Sequence, residues 1–369
     1  MSSDLKFNFG PEGDSGRGYK RVTAECGYDA ARGYGFTNLE AVTSRDRGGS
    51  DRLTRDFCIP YHTSFIVDVP NGSYTVSALM GDAVVPTCTT VKAGAGRLMI
   101  SSRKAAAGQF VRSMFAVHVR DGQLKLSFSG QAPRINALEI TPAPGAVALY
   151  LAGDSTVTDQ SEEGFPYAGW GQMLPMFLKH DVVVANYAES GRSSKSFIDE
   201  GRLDVILDEI KAGDFLFIQF GHNDQKTDEE RHTDPATTYP QYLKQYIDGA
   251  RGRQAIPVLV TSVHRRFFGE GGKLTDTHGA YLEAVRKLAY EEQVPLIDLA
   301  DRSRALFEAL GEEGTKSIFM WGAPGEFANF SEGVQDNTHF QEQGAIEIAR
   351  LITEEIRAQK LWPLALYLR

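Results

Sequence analysis

The chain has little cysteine, no excess of basic charge and no long apolar run, and each shortage excludes a class of protein. Its three cysteines, Cys26, Cys58 and Cys88, are an odd number and lack the spacing of a metal site. The net charge of −9 offers no basic surface to nucleic acid and disfavours binding to anionic membranes. Because no stretch of about 18 apolar residues is present, no membrane-spanning helix is expected.

Export signals are also missing from the first residues. The segment Met1–Lys6 has neither the basic nor the apolar part of a secretory signal. This predicts a cytoplasmic protein, or a secreted one if a signal has been removed. In the cytoplasm the three cysteines are expected to be reduced thiols, although a disulfide between two of them stays open.

The length and composition indicate a soluble globular protein of two domains. The chain has 369 residues, of which 42% are hydrophobic and 24% charged. In residues 1–142, apolar and polar side chains alternate in short runs such as Phe115–Val119 and Leu124–Phe128. A period of two is typical of half-buried antiparallel strands, so this part is predicted to be an all-β sandwich. Asn71-Gly72 and Asp121-Gly122 lie between such runs and are predicted to form hairpin turns.

The pattern of apolar residues changes after the proline-rich segment that begins at Pro142. Residues 143–146 are predicted to be a linker, and residues 147–369 a second domain. Strands that alternate with helices predict an α/β fold with a parallel sheet covered on both faces. The apolar runs are Val147–Ala152, Val182–Ala185, Phe215–Phe220, Val258–Thr261 and Leu296–Leu299, and the predicted helices cover about 167–180, 202–211, 238–254 and 278–292, with a last helix from near Gln341.

In such folds the functional side chains collect at the carboxyl ends of the strands. Ser155 follows the first predicted strand, Gly191 lies shortly after the second, and Asn223 follows the third. Asp336 and His339 lie three residues apart, just ahead of the last helix, where a carboxylate can reach the imidazole from the same turn. The sequence therefore predicts that these five residues converge.

Their chemistry is that of nucleophilic catalysis. A serine hydroxyl becomes a good nucleophile when a histidine takes its proton and an acid orients that histidine. Backbone N–H groups and a side-chain amide can hold the negative oxygen of a tetrahedral intermediate. Taken singly, each residue also has an ordinary structural explanation as a helix cap, a buried histidine or a loop residue.

Four segments occur in the order Gly-Asp-Ser, Gly, Gly-x-Asn-Asp and Asp-x-x-His, and in this the chain resembles the SGNH or GDSL hydrolases. The resemblance implies a flavodoxin-like three-layer α/β/α domain that hydrolyses esters through an acyl-enzyme, without a cofactor. It implies Ser155, Asp336 and His339 as the catalytic residues. The oxyanion hole would consist of Ser155, Gly191 and Asn223. No His or Cys pattern for a catalytic metal is present, so no metal is expected.

A narrower resemblance is to the rhamnogalacturonan acetylesterases, family 12 of the carbohydrate esterases, which remove acetyl groups from pectin. It implies an acetylated oligosaccharide as the substrate and leaves a homo-oligomer open. The residues Pro133–Ile140 look like part of the galactose-binding-like sandwiches attached to some members. The segments that carry the narrower resemblance are Gly153–Val157, Gly169–Gln172, Ala188–Ser194, Gly221–Asp224 and Asp336–Phe340.

An acetyl group on galacturonate lies near a carboxylate, so cationic side chains are expected beside the cleft. Arg192 and Arg265 follow strands of the sheet, and a guanidinium suits a uronate carboxylate. His222 and His264 are further candidates for substrate contact, and Trp321 is a candidate for stacking on a sugar ring. The alternative for each arginine is an ion pair with an acid of the protein, and for the others an ordinary loop or core role.

Two other functions remain open at the level of sequence. One is an esterase for other acylated glycans, such as acetylated xylan, or for lipids; the chain lacks a long apolar lid that would favour lipids. The other is a carbohydrate-binding protein with an inactive hydrolase domain, against which the full set of catalytic residue types speaks. The role of the first domain, and calcium within it, are left open.

Overall fold

The computed structural model describes residues 5–369, which form two compact units. One unit contains the chain up to Ala146 together with Leu178–Val183 and Arg369. The other contains Val147–Phe177 and Val184–Leu368. The first four residues, which belong to the predicted N-terminal segment and to the predicted domain 1–142, lie outside the described residues.

Strands and turns alone make up residues 5–146, which confirms the predicted sandwich. Two five-stranded sheets have the orders β10-β7-β12-β1-β2 and β3-β6-β11-β8-β9, and β4 pairs with β5. The core includes the ring of Phe65, whose centroid lies 5.2 Å from that of Phe7 and 5.1 Å from that of Phe9 in edge-on contacts. The strands are β1 (Leu5–Phe9), β2 (Lys20–Val22), β3 (Tyr34–Phe36), β4 (Val42–Asp46), β5 (Asp56–Pro60), β6 (Thr63–Asp68), β7 (Gly72–Gly81), β8 (Thr87–Ala93), β9 (Arg97–Ala105), β10 (Phe110–Val119), β11 (Gln123–Ala132) and β12 (Ala137–Pro142).

Both predicted hairpin turns are wrong. Asn71-Gly72 joins β6 to β7, and Asp121-Gly122 joins β10 to β11, yet the strands of each pair belong to different sheets. The two corners contact each other, since the Gly122 N–H donates to the Asn71 side-chain oxygen at 2.9 Å. Alternation shows that a segment is a strand but does not show which sheet the next strand joins, so a short turn between sheets has the same sequence pattern.

The second unit is built on a five-stranded sheet with the order β15-β13-β16-β17-β18. In chain order this is 2-1-3-4-5, the flavodoxin-like order, and the pairings from β13 to β18 are parallel. The predicted α/β fold is therefore confirmed. Side chains of β15 and β16 are buried along their whole length, as expected of strands covered on both faces. The sheet strands are β13 (Val147–Gly153), β15 (Val182–Asn186), β16 (Phe215–Gln219), β17 (Ile256–Val260) and β18 (Leu296–Ile297).

The helices differ from the prediction at three places. The expected helix at 167–180 is reduced to one short helix followed by the 3-10 turn Leu174–Phe177, and two helices, α2 and α6, were not predicted. The last strand of the parallel sheet, β18, ends at Ile297 rather than at Leu299. The reason is that the Asp298 carboxylate accepts the Asp301 N–H and starts α6. The helices are α1 (Trp170–Met173), α2 (Ser194–Asp199), α3 (Arg202–Glu209), α4 (Thr238–Gly252), α5 (Ala280–Glu292), α6 (Leu299–Gly314) and α7 (Glu342–Ala358).

A second, antiparallel sheet of three strands carries the acid–histidine pair. It has the order β14-β20-β19, with β14 (Tyr167–Ala168), β19 (Phe319–Gly322) and β20 (Val334–Gln341). Asp336 and His339 thus lie within a strand that pairs on both sides, and not in the turn that the sequence suggested. The helix that follows, α7, begins at Glu342, close to its predicted start.

Three features of the described residues concern disulfides, membrane insertion and metal binding. Cys26, Cys58 and Cys88 are all free thiols, and burial raises the pKa of Cys58 to about 12. No helix within residues 5–369 is long and apolar enough to cross a bilayer. In the same part of the chain, no group of three or more His, Cys, Asp or Glu side chains is arranged to hold a metal ion.

Candidate active site

The turn after β13 presents Ser155. The N–H groups of Val157 and Thr158 both donate to the Asp154 carbonyl at 3.0 Å, which folds the chain back directly after the strand. The strand ends in glycine because a Cβ at Gly153 would lie 2.7 Å from a methyl group of Val157. This tight turn leaves the Ser155 side chain half-buried at the carboxyl end of the parallel sheet.

Buried hydrogen bonds hold this turn from below. The Asp154 carboxylate accepts the N–H and the hydroxyl of Thr156 at 2.9 and 2.8 Å, and its other oxygen lies 3.2 Å from His222 Nδ1. Burial opposes ionisation of Asp154, but the adjacent His222 and the bonds from Thr156 lower the pKa of its carboxyl. The Gln219 amide donates to the Thr156 hydroxyl at 2.7 Å and accepts the Trp170 indole N–H at 2.9 Å. Trp170 is fully buried in the core.

Ser155, His339 and Asp336 form one chain of hydrogen bonds. Ser155 Oγ lies 2.8 Å from His339 Nε2, and His339 Nδ1 lies 2.7 Å from Asp336 Oδ2. Asp336 Oδ2 also accepts the Tyr167 hydroxyl at 3.0 Å, while Oδ1 accepts the N–H groups of Thr338 and His339 at 2.7 and 3.0 Å. Burial raises the pKa of Asp336, but these bonds, with that from the His339 ring foremost, lower it to about 2. The structure thus brings together the three residues that the sequence singled out.

The predicted oxyanion donors lie beside the serine. Gly191, in the loop between β15 and α2, has φ +82°, a left-handed conformation that glycine adopts without strain. The N–H groups of Ser155 and Gly191 have no hydrogen-bond acceptor within residues 5–369. One hydrogen of the Asn223 amide donates to the Arg192 carbonyl at 3.0 Å, which orients the amide and leaves its second hydrogen for a ligand. The three residues line the same cleft, as an oxyanion hole requires.

The cleft has a volume of about 420 Å³ and contains every predicted catalytic and oxyanion residue. It also contains side chains that the sequence reasoning missed. Two of them, Lys226 and Arg231, lie in the loop just after Asn223. Their position after the third parallel strand indicates the carboxyl edge of the sheet but not the direction of the side chains. Tyr167 lies on the two-residue strand β14, and the sequence around it does not indicate a position in the cleft. The cleft is lined by Ser155, Gln160, Tyr167, Ser190, Gly191, Asn223, Lys226, Arg231, Asp336 and His339.

The two arginines expected at the substrate are engaged elsewhere. Arg192 Nε donates to both carboxylate oxygens of Glu200 at 2.9 and 3.1 Å, which is the ion pair considered as the alternative. Arg265 donates to the side chains of Gln225 and Thr277, both at 3.1 Å, and to the His222 carbonyl at 3.3 Å. Neither guanidinium lines the cleft, and each is bonded to groups of the protein. Substrate contact by Arg192 and Arg265 therefore stays a prediction.

The two histidines expected at the rim are buried. His222 supports Asp154 from beneath the serine turn, with an exposed fraction of 4%, and packs edge-on against His278. His264 accepts a hydrogen bond from Arg304 at 3.1 Å and is 1% exposed. Burial, together with the charge of Arg304, lowers the pKa of His264 to about 4. Both rings are buried and neither lines the cleft, so substrate contact by His222 and His264 stays a prediction that burial disfavours.

Trp321 does not line the cleft either. It lies on β19, where its indole N–H donates to the Asn337 side chain at 2.9 Å. The Arg266 guanidinium lies over its ring at 4.5 Å from the centroid, and the Lys316 ammonium at 5.0 Å. The ring contacts cations of the protein and lines a separate cavity of about 840 Å³ beside β19. Stacking of Trp321 on a substrate sugar stays a prediction.

A flavodoxin-like sheet with hydrogen bonds from a serine through a histidine to an aspartate at its carboxyl edge is typical of serine hydrolases. Comparison with known proteins narrows this class. The chain belongs to the GDSL-like lipase/acylhydrolase family, whose model matches residues 151–345. Residues 5–141 match a second model, the galactose-binding-domain-like part of beta-agarase and YXIM-like esterases. Both resemblances drawn from the sequence, to the GDSL hydrolases and to galactose-binding-like sandwiches, are thereby confirmed.

Individual relatives agree with this assignment. The chain is 47% identical over 210 residues to the rhamnogalacturonan acetylesterase RhgT of Bacillus subtilis, covering 57% of this chain and 89% of that one. It is 30% identical to the uncharacterized esterase YxiM of B. subtilis over 96% of this chain and 91% of the relative. The crystal structure of B. subtilis YxiM matches 98% of this chain and 99% of its own, with 29% identity and a TM-score of 0.55.

Proposed function

We propose that the protein is a serine esterase that removes O-acetyl groups from rhamnogalacturonan oligosaccharides. The observation that carries the proposal is the hydrogen-bond chain from Ser155 through His339 to Asp336 at the carboxyl edge of the parallel sheet. The substrate is inferred from relatives, since two that are 46–47% identical to this chain are named as established or probable rhamnogalacturonan acetylesterases.

In the first half of the reaction, His339 Nε2 accepts the proton of the Ser155 hydroxyl as the oxygen attacks the acetyl carbonyl. Asp336 holds Nδ1 protonated and stabilises the imidazolium that forms. The carbonyl oxygen becomes negative and takes hydrogen bonds from the Ser155 N–H, the Gly191 N–H and the Asn223 amide. His339 then gives its proton to the sugar oxygen as the C–O bond breaks, which leaves an acetyl group on Ser155.

The second half repeats these steps with water. His339 takes a proton from a water molecule, whose oxygen attacks the acetyl carbonyl, and the same three donors hold the negative oxygen. When the intermediate collapses, the proton returns to Ser155 Oγ and acetate leaves. Gln160, Ser190 and Asn223 in the lining can form hydrogen bonds with the hydroxyl groups of a sugar.

The test compares acetate release by the wild-type protein and by Ser155→Ala. The substrates are acetylated rhamnogalacturonan oligosaccharides, acetylated xylo-oligosaccharides, 4-nitrophenyl acetate and 4-nitrophenyl palmitate. Ser155→Ala is expected to lower kcat by at least about 10⁴-fold on every substrate that the wild type hydrolyses. The matched control is Ser161→Ala, which removes an exposed hydroxyl that makes no cap hydrogen bond and is expected to leave the rate unchanged.

Each alternative function predicts a different outcome of this test. Acetate release by Ser155→Ala at the wild-type rate would refute the catalytic assignment. Absence of turnover of any ester by the folded wild-type protein would favour the inactive binding protein. A higher kcat/KM for the palmitate ester or for acetylated xylan would move the substrate away from rhamnogalacturonan while leaving the esterase chemistry in place.

A further inference from the structure

The loop after the third parallel strand places two cations in the cleft. Lys226 and Arg231 both line it, and the loop that carries them starts at the candidate oxyanion residue Asn223. The base of this loop is fixed, because the Lys226 N–H donates to the Asn223 carbonyl at 3.0 Å. At its far end, the Thr233 N–H and hydroxyl donate to the carbonyl and the carboxylate of Asp224 at 3.1 and 3.0 Å. The loop that carries both cations is therefore closed at its two ends, and both cations line the cleft that contains Ser155.

The two cations differ in how far their charge is compensated. Arg231 Nε and Nη2 bond the Asp228 carboxylate at 2.7–3.1 Å, which neutralises this guanidinium and leaves its Nη1 edge outside the pair. The exposed ammonium of Lys226 has no ion pair and no side-chain hydrogen bond with the residues from 5 to 369. The acid in the cleft, Asp336, is already held by four hydrogen bonds. Lys226 is thus the cation in the lining whose charge is available to a substrate.

We propose that Lys226 binds the carboxylate of a uronate in the acetylated substrate, with the Nη1 edge of Arg231 as a second donor. The inference rests on the proposed function and deepens it: the enzyme would select acetylated glycans that carry a negative charge close to the acetyl group. A lysine ammonium is a compact charge on a flexible stem, so it can meet a carboxylate without fixing the ring in one orientation. Rhamnogalacturonan contains such a carboxylate in each galacturonate, whereas acetylated xylan has a neutral backbone.

The experiment uses one oligosaccharide in two forms. An acetylated rhamnogalacturonan oligosaccharide is compared with the same preparation after methyl esterification of its carboxylates, and kcat and KM for acetate release are measured at low salt. The variants are Lys226→Met, which keeps most of the apolar stem without the charge, Lys226→Glu, which reverses the charge, and Lys226→Arg, which keeps it. Lys211→Met is the matched control, because Lys211 is also an exposed lysine of the second unit but does not line the cleft.

The wild type is expected to prefer the acidic form, and this preference is the quantity to follow. Lys226→Met should lower the ratio of kcat/KM for the acidic form to that for the methyl ester by about fivefold, the size of a solvent-exposed ion pair. The loss should lie mainly in KM, since the carboxylate is bound equally in the ground and transition states. Lys226→Glu should lower the ratio further, Lys226→Arg should restore it, and Lys211→Met should leave it as in the wild type.

Two failures can be told apart. If Lys226→Met and Lys226→Glu change kcat/KM by the same factor for both forms, Lys226 does not bind the carboxylate, and the proposal is overturned while the esterase stands. If the wild type releases no acetate from either form but hydrolyses 4-nitrophenyl acetate in a Ser155-dependent way, the substrate assignment fails and this inference fails with it. A wild-type preference for the methyl ester would also overturn it.

Discussion

Asp336 uses both oxygens of one carboxylate to hold the imidazole of His339. Oδ2 accepts the ring N–H of His339 and the Tyr167 hydroxyl, and Oδ1 accepts two backbone N–H groups of its own strand. The ring of Tyr167 also lies edge-on to that of His339, at 5.7 Å between centroids. The orientation of the histidine is therefore fixed before a substrate arrives, which is the condition for an efficient general base.

The ionisation of Asp336 should contribute to stability in a defined pH range. Its pKa is about 2 in the folded protein and about 3.9 in an unfolded chain, so the contribution is present above about pH 4 and is lost as the pH falls through 2. Between pH 5 and pH 3 this loss is about 1 kcal/mol. Urea unfolding of Asp336→Asn should therefore lack about that much of the pH dependence shown by the wild type. Equal pH dependence in the two proteins would contradict the assignment.

Asn223 should act on the transition state. Asn223→Ala removes a donor to the oxyanion and is expected to lower kcat by about 10²–10³-fold with little change in KM. Asn223→Asp has nearly the same shape but replaces the donor by a negative charge, so its loss should be at least as large. Steady-state kinetics on 4-nitrophenyl acetate measures both effects, and urea unfolding checks that the variants are folded. A change confined to KM would argue against a role for Asn223 in the oxyanion hole.

Residues fixed by the ends of strands could be predicted from the sequence, and residues fixed by loop geometry could not. Ser155 and Asn223 directly follow apolar runs, so their place at one edge of the sheet follows from the fold class. Arg192 also follows a strand, but the sequence does not reveal that its guanidinium turns to Glu200. Lys226 lies in a loop without periodicity, where the position of a side chain depends on hydrogen bonds that close the loop, such as those to Asp224.

At the scale of elements, the first turn of α7 contacts the start of β19 directly. A Cβ at Gly344 would lie 1.9 Å from the Ile318 carbonyl oxygen and 2.6 Å from its carbon, so glycine allows the helix to pack on this backbone. The Gln341 N–H donates to the same carbonyl at 3.1 Å. Because α7 begins three residues after His339, this contact also bears on the position of the imidazole.

Replacement by alanine should have different effects on stability at two glycines that lie in helices. Gly344→Ala is expected to destabilise the protein by about 3 kcal/mol, because backbone atoms cannot move aside as a flexible side chain can. Gly252→Ala, in the last turn of α4, would place its Cβ where no atom lies within 4 Å. It should be neutral or stabilise by up to about 1 kcal/mol, since alanine favours the helix. Urea unfolding of both variants measures the difference, and a similar effect of the two would refute the packing argument.

The elements themselves were only partly predictable. The five parallel strands were found because their runs of apolar residues are buried on both faces, as Val182–Asn186 shows. The six-residue helix α2 was missed because it is too short for a helical period to appear. In the first unit, alternation revealed the strands β10 and β11 but not that consecutive strands belong to different sheets. Sheet membership depends on packing between distant segments, which a local pattern does not contain.

For the whole molecule, the change in sequence pattern after Pro142 predicts a domain boundary that can be tested. The hydrolase family model matches residues 151–345, which all follow this boundary. A chain that starts at Ala143 should therefore hydrolyse 4-nitrophenyl acetate with a kcat/KM within about threefold of the full chain, as expected for an independently folding domain. Ser155→Ala in the shortened chain is the control. A shortened chain that is folded by circular dichroism but inactive would contradict this division.

The nucleophile and its base come from two different sheets of the second unit and from positions 184 residues apart in the chain. Ester hydrolysis therefore depends on the docking of one sheet against the other as well as on the formation of each. During gradual heating, turnover should vanish before the far-ultraviolet signal of strands and helices does. The rate of hydrolysis then reports the loss of tertiary packing between the two sheets while the secondary structure is still complete.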